Sequence, residues 1–404
     1  MGSPRSLAAP PTSAPSDDWV HRLLDLARTR LDMDVAWLSV FTEGRQEVTS
    51  ATGALDAMNV SEGMSLPLEE SFCVRVLSGQ LPPVVTAADR NPVTRDLAVT
   101  EALGIGSYVG APVRDVDRRP LGMLCCLSRD AGEHLDGAAV RTVEMLADLI
   151  GERLAAEEFA EAELTARRDR VVDVLTRRAV TIHLQPVVDM RSGRVVAHEA
   201  LARFPGREEG PATLFSDAAA VGLGVELELL AVRSALELAD RLPPGTRLAV
   251  NVSPEALLVP AVGRTLVEGA AATPLTVEVT EHSPIEDYPA VLVAVEPLRR
   301  AGIRLSVDDA GAGYASLRHI LRLRPDTIKL DIALVSGVDT DPARQAMTAA
   351  MVAFAAETGS ALVAEGVETA AERDALLARG VRLGQGHLFG RPAPLDRAAG
   401  EQTG

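Results

Sequence analysis

Six polar residues in the second half of the chain are of types that hold metal ions and activate water: Glu199, Asn251, Glu278, Asp308, Lys329 and Glu365. Each closes or nearly closes a short apolar run. Four carboxylates brought together repel one another strongly unless cations sit among them. An all-oxygen donor set suits Mg²⁺ or Mn²⁺ rather than zinc. The carboxylates exceed the need of one ion, and two ions about 4 Å apart suit in-line hydrolysis of a phosphodiester. Taken singly, each residue has an ordinary reading. A carboxylate after a strand serves as a helix N-cap, a role open to Asp309. Ser253-Pro254 reads as a cap followed by a first helical position. Gly311 and Gly313 read as turn residues. The recurrence at six strand ends is what favours a metal site.

The elements that must carry these residues follow from periodicity. Candidate strands are Thr181–Val188, Val195–Phe204, Arg247–Val252, Leu275–Thr280, Arg304–Asp308, Thr327–Asp331 and Ala361–Glu365, with a short one near Leu383. Helical stretches separate most of them. Eight strands in about 220 residues is the size of a (β/α)8 barrel. In a barrel, alternate side chains face the interior. Val277, Val279, Leu305, Val307, Ile328, Leu330, Leu248 and Val250 would face helices. Thr276, Glu278, Ser306, Asp308, Lys329, Asp331 and Asn251 then face inward, with Glu199 and Glu365 in the same phase. Glu199, Asn251, Glu278, Asp308, Lys329 and Glu365 lie toward the C-terminal strand ends, where barrel active sites form.

The chain before residue 179 reads differently. Trp19 to Leu31 has helical periodicity, whereas Val35–Thr42, Ser107–Val113 and Leu121–Leu127 alternate as strands. The expectation is a small α+β domain on an antiparallel sheet. Gly137 to Arg178 lacks proline and is rich in Ala, Glu, Leu and Arg, as expected of one long helix. It is either a plain linker or a parallel dimer helix that carries a signal, its heptads being imperfect. The expected division is a disordered tail over 1–17, a first domain over 18–152, a linker helix over 153–178, a barrel over 179–396 and a tail over 397–404.

Composition excludes several classes. The chain has 404 residues, 47% apolar and 24% charged, which supports packed cores and rules out a mostly disordered chain. The formal charge of −17 argues against nucleic acid polymers and anionic membranes as partners. No apolar run approaches the roughly 18 residues of a membrane span. The three cysteines, Cys73, Cys125 and Cys126, form no CxxC pair. A reduced cytoplasmic setting is expected. His134, His183, His198, His319 and His387 show no ligand spacing.

At these motifs the sequence resembles the EAL domain family of cyclic di-GMP phosphodiesterases. The likeness is carried by Leu184-Gln185-Pro186-Val187-Val188-Asp189, His198-Glu199-Ala200-Leu201-Ala202-Arg203-Phe204, Asn251-Val252-Ser253 and Glu278-Val279-Thr280-Glu281. It continues through Asp308-Asp309, Lys329-Leu330-Asp331, Glu365-Gly366-Val367-Glu368-Thr369, Gln385-Gly386 and Phe389-Gly390-Arg391-Pro392. It implies a modified TIM barrel, an α/β fold whose first strand is antiparallel to its neighbours. It also implies two Mg²⁺ or Mn²⁺ ions on Glu199, Asn251, Glu278 and Asp308, completed by Asp309. Lys329 would orient the attacking water, and Glu365 would be the general base or its positioner. Glu281 and Glu368 would support the site. Gln185, Leu201, Arg203, Asp331 and Gln385 would contact substrate, and the product would be linear pGpG.

Two segments depart from the family pattern. The loop usually reading DDFGTGY is Asp308-Asp309-Ala310-Gly311-Ala312-Gly313-Tyr314, and the usual FIPxAE segment is Leu214-Phe215-Ser216-Asp217-Ala218-Ala219. No expected metal ligand is lost in either. The first loop nevertheless leaves open a receptor that holds cyclic di-GMP without turnover, beside an active sensor-gated enzyme. Tyr108-Val109-Gly110-Ala111-Pro112 and Gly122-Met123-Leu124-Cys125-Cys126 resemble GAF sensor domains, whose ligand the sequence does not name. Cys73 invites a bilin or redox role, but Val74 rather than His follows it, so an inert buried thiol is expected. A homodimer is compatible with the long helix.

Overall fold

Period-two apolar alternation builds a sheet with two different faces, and the N-terminal part of the computed structural model shows how. The structure describes residues 18–398 except 43, 208, 280–284, 286 and 311–313, and only the backbone of 309, 314–317 and 397–398. The chain divides into two units, residues 1–162 and 163–404. In the first, α1 (Asp18–Arg30), β1 (Val35–Thr42), β2 (Arg45–Gly53), β3 (Ser65–Pro67), α2 (Phe72–Leu77), β4 (Val84–Val85), α3 (Ala98–Ala102), β5 (Ser107–Arg114) and β6 (Pro120–Ser128) precede α4 (Gly137–Arg177). The sheet order is β3-β2-β1-β6-β5-β4, and every pairing is antiparallel. Ala36, Leu38, Val109, Ala111, Leu124 and Cys126 pack under α1 and the start of α4. Their neighbours Val35, Trp37, Tyr108, Met123, Cys125 and Leu127 pack under α2 and α3. The expected α+β domain is present; β2, β3 and β4 were not anticipated.

The second unit is a closed eight-stranded barrel. Its strands are β7 (Thr181–Asp189), β8 (Arg194–Arg203), β9 (Arg247–Val252), β10 (Leu275–Val279), β11 (Arg304–Ala310), β12 (Thr327–Leu330), β13 (Ala361–Ala364) and β14 (Leu383–Gln385). β7 runs antiparallel to both β8 and β14, and the remaining pairs are parallel. The outer layer comprises α5 (Pro211–Ala220), α6 (Gly224–Leu236), α7 (Pro254–Leu257), α8 (Pro260–Gly269), α9 (Tyr288–Arg300), α10 (Tyr314–Leu323), α11 (Ile332–Val335), α12 (Pro342–Thr358), α13 (Ala370–Ala378) and α14 (Leu395–Ala398).

The core of this unit lies between strands and helices. Leu248, Val250, Val277, Val279, Leu305, Val307, Ile328 and Leu330 are all buried there, as their phase requires. Each such side chain contributes roughly 1.5–3 kcal/mol on burial. The barrel interior is instead polar: Glu199, Thr276, Glu278, Ser306, Lys329 and Gln385 are buried and outside that apolar cluster. The C-terminal end of α4 belongs to the same unit. Val171 and Val174 pack against Phe204, Leu214 and Leu227. Arg170 donates to Asp217 at 2.7 Å and Arg207 to Asp173 at 2.7 Å. Among the described residues no helix is long and apolar enough to cross a membrane.

Candidate active site

Parallel register places the polar strand ends side by side. Asn251 on β9 and Glu278 on β10 are direct partners, and Glu278 also faces Ser306 on β11. Across the antiparallel β7–β8 pair, Gln185 faces Glu199. Lys329 lies on β12 beside Val363 of β13, and Glu365 follows β13. Gly366, at φ +66, turns the chain there, and a Cβ at that position would run into Ile332. Ser253 caps α7 by accepting from Ala256 N at 3.2 Å, with Pro254 at the first position, as expected.

The ammonium of Lys329 is the hub. Its Nζ lies 2.6 Å from Glu365 Oε1, 2.8 Å from Glu278 Oε2, 3.3 Å from Glu199 Oε2 and 3.3 Å from Asp308 Oδ1. Asn251 Nδ2 donates to Glu199 Oε1 at 2.9 Å, and Gln385 Nε2 donates to Glu199 Oε2 at 2.5 Å. The same amide reaches Gln185 Oε1 at 3.1 Å, and Gln185 Nε2 donates to Gly390 O at 3.3 Å. Side-chain exposure rises from 2% at Lys329 to 18% at Asp308 and Glu365, so the cluster opens toward those two.

Charge explains the titration of the group. Burial alone would lower the Lys329 pKa, but Glu199, Glu278, Glu365 and Asp308 hold it well above the ordinary lysine value. Burial raises Glu199, yet Lys329 and the amides of Gln385 and Asn251 outweigh it and leave that carboxyl low. Glu278 is pushed well up by burial and by repulsion from Glu199 and Asp308. Glu365 is raised to about 8 by burial, with Asp308 and Glu199 adding to it. One ammonium does not balance four carboxylates, so protons take up part of the excess.

The other expected site residues are placed as follows. Leu201 and Arg203 are half-buried at the end of β8, and the Arg203 guanidinium donates to Ala202 O at 2.8 Å. Asp331 caps α11, its Oδ1 accepting from Ala333 N at 2.7 Å, which engages the carboxylate expected to contact substrate. Glu368 is exposed, 3.4 Å from His387 Nδ1. Glu281 and the loop glycines Gly311 and Gly313 lie outside the described residues, as do 1–17 and 399–404 of the expected tails; Asp309 is described only as backbone of β11.

Two supporting residues were missed from sequence. Glu372 is buried and accepts from the backbone N–H of Gly337, Glu368 and Thr369 at 2.9–3.0 Å, fastening the turn after Glu365. Its signal was legible, since Thr369 and Glu372 form a capping box. Glu228 on α6 accepts from Ser253 N at 2.7 Å and so pins the turn after Asn251. Burial holds its carboxyl above the usual range. Nothing local in sequence marks it.

Among the described residues no three His, Cys, Asp or Glu side chains meet in metal-holding geometry; the carboxylates converge on Lys329 instead. The donor chemistry nevertheless fits hard divalent cations. Glu199, Asn251, Glu278 and Asp308 offer oxygen atoms, the local charge is negative in excess, and the buried Gln385, whose Nε2 donates to Glu199, leaves its Oε1 without a hydrogen-bond partner among the described residues.

The chain is similar to the cyclic di-GMP phosphodiesterase PdeR of Escherichia coli (strain K12), 34% identical over 227 residues, covering 53% of this chain and 34% of that protein. It is 32% identical over 235 residues to the bifunctional diguanylate cyclase/cyclic di-GMP phosphodiesterase MucR of Pseudomonas aeruginosa, covering 55% of this chain and 34% of that one. The chain thus spans about a third of the length of these curated relatives. A solved PaMucR phosphodiesterase–c-di-GMP complex is 30% identical at TM-score 0.50, covering 58% of this chain and 99% of that chain. Residues 17–154 match the GAF domain. Residues 168–392, more than half of the chain, match the EAL domain, and the chain belongs to the EAL domain family.

Proposed function

We propose that this chain is a cyclic di-GMP phosphodiesterase that opens its substrate to linear pGpG. The observation that carries the reading is the convergence of Glu199, Glu278, Asp308 and Glu365 on Lys329, with Asn251 on Glu199, at the C-terminal mouth of the barrel. Likeness to the MucR phosphodiesterase supports the substrate class. Glu199, Asn251, Glu278 and Asp308, with Asp309, would hold two Mg²⁺ or Mn²⁺ ions. When bound, such ions acidify water and screen phosphate charge.

The chain's own residues do the rest. Gln185, Leu201 and Arg203 bind the dinucleotide at the mouth. Lys329 orients the attacking water. Glu365, raised to about 8, is matched to accept its proton near neutral pH. The water oxygen bonds to phosphorus, the bond from phosphorus to the 3′ oxygen breaks in line, and that oxygen leaves with a proton. The N-terminal GAF unit regulates the rate, and the working form is a homodimer in the cytoplasm.

The test is chromatography of cyclic di-GMP incubated with the full chain and Mg²⁺ or Mn²⁺, against a chelator control. Metal-dependent pGpG is expected, with Glu365→Gln losing turnover but keeping substrate binding. Wild-type turnover in Glu365→Gln would overturn the role of that carboxylate. Intact cyclic di-GMP with tight binding would favour a receptor, the reading suggested by Ala310 and Ala312, where the family pattern has Phe and Thr.

A further inference from the structure

A second cluster of reactive side chains lies in the N-terminal unit, where the proposed hydrolysis makes no use of it. Alternation along β6 sends Cys125 to the face covered by α2 and Cys126 to the opposite face. Cys73, on the first turn of α2, brings its Sγ to 3.3 Å from Cys125 Sγ. The Tyr108 hydroxyl lies 3.4 Å from Cys125 Sγ and 3.6 Å from Cys73 Sγ. Gln46 Nε2 donates to Cys73 Sγ at 3.1 Å.

A small void adjoins Cys73. It measures about 10 Å³ and is lined by Trp37, Gln46, Phe72, Cys73 and Tyr108 among others, room for one water-sized molecule. Trp37 Nε1 and Gln46 Oε1 are buried without a hydrogen-bond partner among the described residues. Among the residues around this void, one donor and one acceptor are thus left unsatisfied. Leu66 lines the same void, and none of residues 61–70 is buried.

We propose that Cys73 and Cys125 form a peroxide-reactive pair that closes to a disulfide. The Cys73 thiolate attacks hydrogen peroxide; an S–O bond forms, the O–O bond breaks, and the departing hydroxide takes a proton to leave as water. Cys125 sulfur then attacks Cys73 sulfur; the S–S bond forms, the S–O bond breaks, and the second water leaves. Two thiols and one peroxide give one disulfide and two waters. Burial opposes the Cys73 thiolate, but hydrogen bonds from Cys125, Tyr108 and Gln46 outweigh it and hold this thiol below its usual range. Among the described residues Cys126 has no such partners, and burial pushes it up to about 12. The disulfide would tether α2 to β6.

The test treats the reduced full chain with hydrogen peroxide and follows intact mass and free thiols. The expected result is a loss of two of the three thiols and of about 2 Da, reversed by dithiothreitol. Cys125 and Cys126 are adjacent, so peptide mapping uses two variants. Cys126→Ser should still give the Cys73 crosslink, whereas Cys125→Ser should give none and should leave Cys73 as a dimedone-reactive sulfenic acid. In the wild type, retention of three thiols or oxygen added without a crosslink, or in Cys125→Ser a Cys73 crosslink, would each overturn the proposal. The wild-type mass reading holds even where a variant does not fold.

Discussion

Replacing Lys329 with methionine tests the charge balance of the barrel mouth without touching a proposed metal ligand. Lys329 Nζ faces four carboxylate oxygens between 2.6 and 3.3 Å, at a side-chain exposure of 2%. Removing one partner of a buried ion pair costs roughly 3–5 kcal/mol, because the other charge stays buried and unpaired. At roughly 2–4 °C per kcal/mol for a unit of this size, the barrel transition should fall by roughly 6–20 °C in chelator. Divalent cations should recover part of it. Saturation at about a hundredfold over Kd contributes roughly 2.7 kcal/mol per site, and loss of the competing ammonium should tighten Mn²⁺ binding, so Mn²⁺ should raise the Tm more in the variant than in the wild type. The pH dependence has a definite sign. Glu365 is raised from 4.5 to about 8, so the folded chain holds more protons than the unfolded chain in that window, and stability falls as pH rises through it. Without the ammonium the carboxylates hold protons still more strongly, so the deficit should be largest near pH 8 and shrink toward pH 5. Differential scanning calorimetry of both proteins, with chelator and with Mn²⁺, reads all of this. An unchanged Tm in chelator at pH 8, or a deficit that does not shrink on acidification, would refute the assignment of Lys329 as the counter-charge.

The remaining expectations concern the supports of the site. Glu228→Ala deprives Ser253 N of its acceptor, at a cost of about 1–3 kcal/mol, and should weaken Mn²⁺ binding through Asn251, two residues away. Glu228→Gln, which keeps an acceptor, should retain most of the affinity; equal Mn²⁺ titrations for Glu228→Ala and wild type would uncouple this turn from the site. Asp189 is held below the usual carboxylate range chiefly by the hydrogen bond from Arg382, whose Nε lies 2.6 Å away. Its contribution is therefore present above the unfolded pKa and lost as pH falls through the folded one. Urea titrations should show Asp189→Asn less stable than wild type at pH 7, with the gap closing below about pH 4; a constant gap would contradict that ion pairing.

The sequence alone determined the strand set of the barrel and its phase. Val277 and Glu278, Leu305 and Ser306, Ile328 and Lys329 alternate apolar and polar, and alternation along a closed sheet decides which side chain faces helices. Hence the polar interior was legible, and so was its position near the strand ends. The Ser253 cap and the Thr369–Glu372 box are equally local, since they depend only on residues three apart. What tertiary structure decided were distances between residues far apart in the chain. That Lys329 rather than Asn251 sits amid the carboxylates depends on barrel closure and on the length of one side chain, neither of which a motif encodes. Asp331 has the right strand phase for the interior, yet it lies one residue past β12 and caps α11. Glu228 reaches Ser253 only because α6 packs beside α7, and Cys73 meets Cys125 only because α2 covers that face of β6. Local pattern sets which way a side chain points; packing of distant segments sets what it meets there.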